Sequence, residues 1–210
     1  DPFMPYQIYI SDTSADLDTL RPILVEQIRQ MGMTPIWIED GERQQKNLLD
    51  IVQRKIRESD AFISIVTYKR AWQPSDMGGK ALAEMECDVA MVAGKPLAVL
   101  LPAGNSNTAN DLRQHSLTQT EIENDAQRNF WRKLETGGVV TYFTDVADLS
   151  RKLSELLTTW SSSLGGLRSF EAQAAPLPPA PGAPLTRERR DTFFPADGLD
   201  IDAFADQVAE

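Results

Sequence analysis

The chain has 210 residues, 41% of them hydrophobic, enough to bury one good core with residues left over for a tail. Its net charge of -10 argues against a nucleic-acid backbone or an anionic membrane as the main partner. One cysteine (Cys87) and one histidine (His115) exclude an internal disulfide and leave too few ligands for a zinc centre or a Cys–His nucleophile pair, so no metal site is expected.

Strands and helices alternate from residue 7 to 160. Ile8-Tyr-Ile10 is a short β run, followed by the polar loop Ser11-Asp-Thr-Ser14. Leu17, Leu20, Leu24, Ile28 and Met31 recur at helical spacing up to Gly32, with Thr13 and Asp16 as capping groups. Thr34–Ile38 is the second strand, ended by an Asp40-Gly41 turn, and a charged helix follows through Leu48, Leu49, Val52 and Ile56. Ala61–Val66 and Pro96–Leu101 are almost continuously apolar, as central parallel strands covered on both faces should be. Between them lies a helix ending at Gly94. Residues 103–124 are polar and are expected to be a long surface loop. A helix around Ala126–Leu134, the strand Val139–Phe143 and a helix carrying Val146, Leu149, Leu153, Leu156 and Trp160 complete the series.

Five strands alternating with five helices predict a flavodoxin-like, doubly wound parallel sheet of order 2-1-3-4-5 with helices on both faces. Ligands in such sheets bind at the carboxyl ends of the strands where the order reverses, here between strands one and three. The domain is expected to span residues 4–160, with residues 1–3 a tag remnant before Met4. A flexible Pro/Ala-rich linker follows over 161–190, from Ser161-Ser-Ser-Leu-Gly-Gly166 onward. The acidic amphipathic segment 191–210 is either a docking segment or the opening of a further domain. No apolar run reaches membrane-spanning length and no signal peptide is visible, so a cytoplasmic location is expected.

One carboxylate stands out. On a wheel of about 100° per residue, Leu82, Met85, Val89, Val92 and Ala93 form an apolar stripe with Glu86 inside it or at its edge. Glu84 points the opposite way, and Cys87 projects from the more polar side as a bystander thiol. A charge aimed at a core must be paired, hydrogen-bonded or lining a cleft. Around the predicted crevice lie the Ser11-Asp12-Thr13 loop, with hydroxyls, a carboxylate and helix N-terminal amides suited to phosphate, and Tyr68, Arg70 and Trp72, an aromatic pair with a cation able to stack on a base. Asp40 closes the second strand. No G-x-G-x-x-G and no G-x-x-x-x-G-K-[ST] is present.

Ile8-Tyr-Ile-Ser-Asp-Thr-Ser-Ala-Asp-Leu17 with Arg21, Ile38-Glu-Asp40, Ser59-Asp-Ala-Phe-Ile-Ser-Ile65 with Tyr68, Glu84-Met-Glu86 and Gly94-Lys-Pro96 together resemble a TIR-like family. Its members are largely uncharacterised domains at the front of signalling proteins, ahead of STAND-type NTPase or repeat modules. The resemblance implies that Glu86, on the helix after strand three and before a Gly-Lys turn, acts on the ribose of NAD+ as it is cleaved from nicotinamide. NAD+ would be substrate, not cofactor. On that reading Ser11, Asp12, Thr13 and Asp40 hold the nucleotide, with Tyr68, Arg70 and Trp72 around its rings. The chain departs from the family at Ala81 and Ala83 (Ser and Thr elsewhere), at Cys87 (an aromatic) and at Thr67 (a small residue). The setting implied for NAD+ cleavage is bacterial defence or stress signalling. Two other readings stay open: a non-catalytic self-association module of a larger signalling protein, and nucleoside deoxyribosyl transfer, which uses a related fold and a glutamate nucleophile.

Overall fold

The computed structural model describes residues 5–11, 20–75, 78–104, 106–116 and 119–174. The chain divides into two units, Asp1–Ala172 and Gln173–Glu210, and the fold below is that of the first.

Five strands, β1 (Gln7–Ser11), β2 (Thr34–Ile36), β3 (Ala61–Ile65), β4 (Leu97–Pro102) and β5 (Val140–Phe143), form one sheet of order β2-β1-β3-β4-β5. Every adjacent pair is parallel. This is the doubly wound architecture that the alternation predicts. The helices are α1 (Arg21–Gln30), α2 (Asp40–Arg43), α3 (Leu48–Glu58), α4 (Leu82–Val92), α5 (Asn107–Ser116), α6 (Glu121–Thr136) and α7 (Val146–Ala174).

Alternation along the strands sorts the core onto two sides of the sheet. Ile8, Ile10, Ile63, Ile65 and Leu100 pack against Leu24 and Ile28 of α1 and Leu149, Leu153 and Leu157 of α7. Tyr9, Phe62, Val99 and Leu101 face the other way, onto α3, α4 and α6 through Val52, Ile56, Ala83, Ala90 and Phe130. β3 is buried along its whole length. Among the described residues no helix is long and apolar enough to cross a membrane.

Several boundaries differ from the sequence expectation. The stretch 103–124 is not one loop: α5 occupies its middle, started by Ser106, whose Oγ accepts from the Ala109 amide at 3.0 Å, and anchored by Ala109 and Leu112. His115 therefore lies on a helix. Asp40-Gly41 opens the short α2 instead of a turn. The last helix does not stop at Trp160. Its buried stripe continues through Leu157, Trp160 and Leu164, carrying the helix across Gly165-Gly166 to Ala174 at the modest propensity cost that glycine imposes. Met31, Leu49 and Val146, expected to be internal, are largely exposed. Thr13 and Asp16, the expected caps of the first helix, lie outside the described residues, as do most of the linker and all of 191–210.

Candidate functional site at the carboxyl end of the first strand

The sheet order reverses between β1 and β3, and Ser11, the last residue of β1, is in register with Ser64 of β3 there. Period two along β1 puts Tyr9 and Ser11 on the same face, the one covered by α4. α4 presents Ala83, Glu86, Cys87 and Ala90 at i, i+3, i+4 and i+7, all buried. The buried face is thus centred beside Glu86, not on the Leu82–Val92 stripe, and Val92 is 83% exposed. The small neighbours Ala83, Cys87 and Ala90 let the helix approach the sheet closely, which drives Glu86 into it. Cys87 is fully buried, not a bystander on a polar side, and burial pushes its thiol well above the usual range.

Glu86 is 1% exposed, and both carboxyl oxygens are occupied. The Tyr9 hydroxyl donates to Oε1 at 2.6 Å, and the Ser11 hydroxyl donates to Oε2 at 2.6 Å. These lengths are those of charge-assisted O–H···O⁻ bonds, which favour the ionised carboxyl. Burial acts in the opposite sense and outweighs them: the Glu86 pKa is raised from 4.5 to about 7, with the hydroxyl bonds and the Arg43 guanidinium pulling it down. The carboxyl therefore changes charge near neutrality. Tyr9 is held as the neutral donor, since burial and the adjoining carboxylate push its phenol well above 10. Its ring is fixed by Phe62, its register partner on β3, stacked at 5.5 Å and 7°.

Two guanidinium groups lie in the same electrostatic neighbourhood. Arg43 ends α2, whose capping box joins Glu39 and Glu42. Burial and the Arg43 charge lower the Arg21 pKa at the start of α1, partly offset by Asp40.

The other residues picked out in the sequence are dispersed. Asp40 is 3.8 Å from Arg43 and points into solvent. Tyr68 stacks on Trp131 at 4.8 Å, with the Arg113 guanidinium 4.7 Å from its ring centre, so its ring already has partners within the chain. Arg70 donates to the Gly79 carbonyl at 2.6 Å. Trp72 is 47% exposed. Asp12 and Thr13 lie outside the described residues. Of those that are described, only Ser11 is brought onto Glu86.

Tyr9 and Arg43 are the contributors that sequence reasoning missed. A tyrosine inside a fully buried central strand needs an acceptor for its hydroxyl, and Tyr9 and Ser11 share one face by simple alternation. That was the available signal. Arg43 carried none, because its place depends on α2 folding where a turn was expected.

No curated protein matches the chain. Residues 7–158, well over half of it, match a family described as Domain of unknown function (DUF4062). The chain belongs to the DUF4062 family.

Proposed function

We propose that this is a TIR-like domain that hydrolyses NAD+ at the bond between nicotinamide and ribose, with Glu86 as the carboxylate acting on the ribose. The observation that carries the reading is Glu86 itself: a buried carboxyl at the reversal point of a doubly wound sheet, held by two hydroxyls and changing charge near pH 7. Structural ion pairs seldom look like this, because no cation is in direct contact with either oxygen among the described residues.

The chemistry requires little more. The N-glycosidic bond breaks with its electron pair leaving on the nicotinamide nitrogen, which quenches the pyridinium charge. Positive character develops on the ribose C1–O bond, and an ionised carboxylate in a dry site stabilises it. Water then adds at C1 and releases a proton, giving ADP-ribose, nicotinamide and H⁺. Tyr9 and Ser11 fix the orientation of the carboxylate throughout. Because only the ionised form can act, the rate should rise as pH passes through about 7.

The test is release of free nicotinamide from NAD+ at high protein concentration, with Glu86→Gln as control. Loss of 100-fold or more in the variant, equivalent to about 2.7 kcal/mol of transition-state stabilisation, is expected. Equal rates in the two proteins, or no product under conditions that also drive assembly, would sink the reading. Turnover of deoxynucleosides but not NAD+ would instead assign Glu86 to deoxyribosyl transfer. Self-association without catalysis would draw on exposed apolar side chains such as Met91 and Val92 at the end of α4.

A further inference from the structure

We propose that Ser64 on β3 is a positioning residue for the Glu86 carboxyl: it accepts the Ser11 hydroxyl when Glu86 is protonated, so that the three side chains form one reversible hydrogen-bond chain. The inference concerns the carboxyl and not its substrate, so it is separable from NAD+ hydrolysis.

The starting point is an orphaned group. Ser64 is 0% exposed, and its hydroxyl has no hydrogen-bond partner. A buried hydroxyl left unbonded is destabilising, and β3 is otherwise built from Ala61, Phe62, Ile63 and Ile65. Its register partner across the β1–β3 ladder is Ser11. Register partners in a parallel pair project to the same face from strands about 4.8 Å apart, which makes the two hydroxymethyl groups neighbours. α4 closes this face with Glu86 and Cys87, consecutive and both buried. The Ser64 hydroxyl is near enough to the Cys87 sulfur to draw that thiol's pKa down against the larger effect of burial. A sulfur is a weak acceptor, so this contact leaves the hydroxyl poorly satisfied.

Counting protons gives the spare oxygen a role. An ionised carboxylate only accepts, and Tyr9 and Ser11 supply one donor to each of its oxygens. In that state Ser64 is not needed. A protonated carboxyl must itself donate. From Oε2 its proton goes to Ser11 Oγ, and the Ser11 hydrogen must then turn to another acceptor. Rotation about the Cβ–Oγ bond does this without moving the oxygen. Tyr9 is the poorer route, because conjugation keeps its hydroxyl hydrogen near the plane of a ring already stacked on Phe62. Ser64 receives the Ser11 hydrogen after a change of side-chain rotamer and directs its own toward Cys87. From the elements packed around the carboxyl, Cys87 of α4 and Glu42 and Arg43 of α2 share its field with Tyr9. All of these stay in place when Ser64 is replaced.

The test follows the Glu86 carboxyl carbon by 13C NMR through a pH titration of the full chain, the signal being assigned by its loss in Glu86→Gln. Ser64→Ala removes the spare acceptor and leaves the ionised carboxylate both of its donors. The protonated form alone is disfavoured, so the midpoint is expected to fall by about one pH unit, a tenfold change in the protonation equilibrium. Loss of a nearby dipole by itself would act in the other direction, since a less polar interior disfavours the charged form. On a Ser11→Ala background the same replacement should leave the midpoint unchanged, because Ser64 reaches the carboxyl only through Ser11. A midpoint that stays or rises in Ser64→Ala would overturn the proposal, as would an equal fall on the Ser11→Ala background. A carboxyl that keeps one protonation state wherever the protein is folded would also overturn it. Nicotinamide release has no part in this readout, so failure of the hydrolase reading and failure of this one are seen in different experiments.

Discussion

The two faces of the sheet are built from different chemistry. Toward α1 and α7 the strands present the aliphatic side chains of Ile8, Ile10, Ile63, Ile65 and Leu100. Toward α3, α4 and α6 the same strands present Tyr9 and Ser11 from β1 and Phe62 and Ser64 from β3, with Glu86 descending from α4. Both faces are equally dry. One spends its burial on transfer of apolar surface alone; the other sets hydroxyls and a carboxyl in low dielectric, where each unsatisfied bond is costly and each satisfied one is strong. A face of the first kind maintains the fold, while one of the second kind is maintained at some cost.

The largest effect expected from breaking the comparison lies on the apolar face. Leu153 is fully buried between α7 and the sheet. Leu153→Ala should cost about 2–5 kcal/mol in urea unfolding, by lost transfer energy plus the cavity left behind. Nicotinamide release per folded molecule should not change. A drop in that specific activity would show that the two faces are not separable.

On the polar face the sign depends on pH. Glu86 ionises near 4.5 when unfolded and near 7 when folded. Folding therefore favours its protonated form. That contribution is fully present below pH 4.5 and is lost as pH rises to about 7, a difference of about 3 kcal/mol. Glu86→Gln cannot ionise and should escape the loss. Urea titrations at pH 4, 6 and 8 should show the variant gaining on the parent protein up to pH 7 and holding a constant lead above it. The substitution expected to abolish nicotinamide release would thus stabilise the fold at pH 8. A parent protein whose stability tracks the variant's at every pH would mean that the carboxyl is already ionised in acid, held so by Tyr9, Ser11 and Arg43.

Tyr9→Phe sharpens the point with a smaller change. It keeps the ring stacked on Phe62 and removes only the hydroxyl that donates to Oε1. The ionised carboxyl loses one of its two short bonds, a loss of about 1–3 kcal/mol felt mainly above pH 7. The midpoint of the pH–rate profile should move upward by about one pH unit. An unmoved midpoint would identify some group other than Glu86 as the one whose titration controls the rate.

Much of this was visible in the residues. β3 and β4 announced themselves as continuous apolar runs, and strand order followed from strict alternation with helices. Glu86 was found because a helical wheel places it among apolar residues. The wheel placed Leu82 and Met85 correctly but misjudged the centre of the buried arc, since it weighted Val92 by hydropathy, whereas Ala83, Cys87 and Ala90 are buried and small enough for close contact. Tyr9 was hidden because a tyrosine in a strand looks like any β-forming residue until an acceptor is known to face it. α5 was not legible: its residues are polar, and they lie within the 103–124 stretch expected to be a loop.

α5 also offers the smallest prediction and the cleanest measure of what local chemistry contributes away from both faces. Its sequence Asn-Thr-Ala-Asn-Asp-Leu-Arg-Gln-His-Ser is polar, and among its described side chains Ala109 and Leu112 alone are buried, so packing alone holds it weakly. Its start is secured by Ser106, whose Oγ accepts from the Ala109 amide while its hydroxyl donates to the Ala103 carbonyl at 2.8 Å. Ser106→Ala removes both bonds and should cost about 1 kcal/mol. Amide hydrogen exchange should quicken over 107–112 with no change across β1 and β3. Nicotinamide release should stay constant, because the partners of Glu86, Tyr9 and Ser11, lie on β1 and not on this helix. A fall in that rate would mean that α5 and the carboxyl act together, and that the division between the two regions is only one of position.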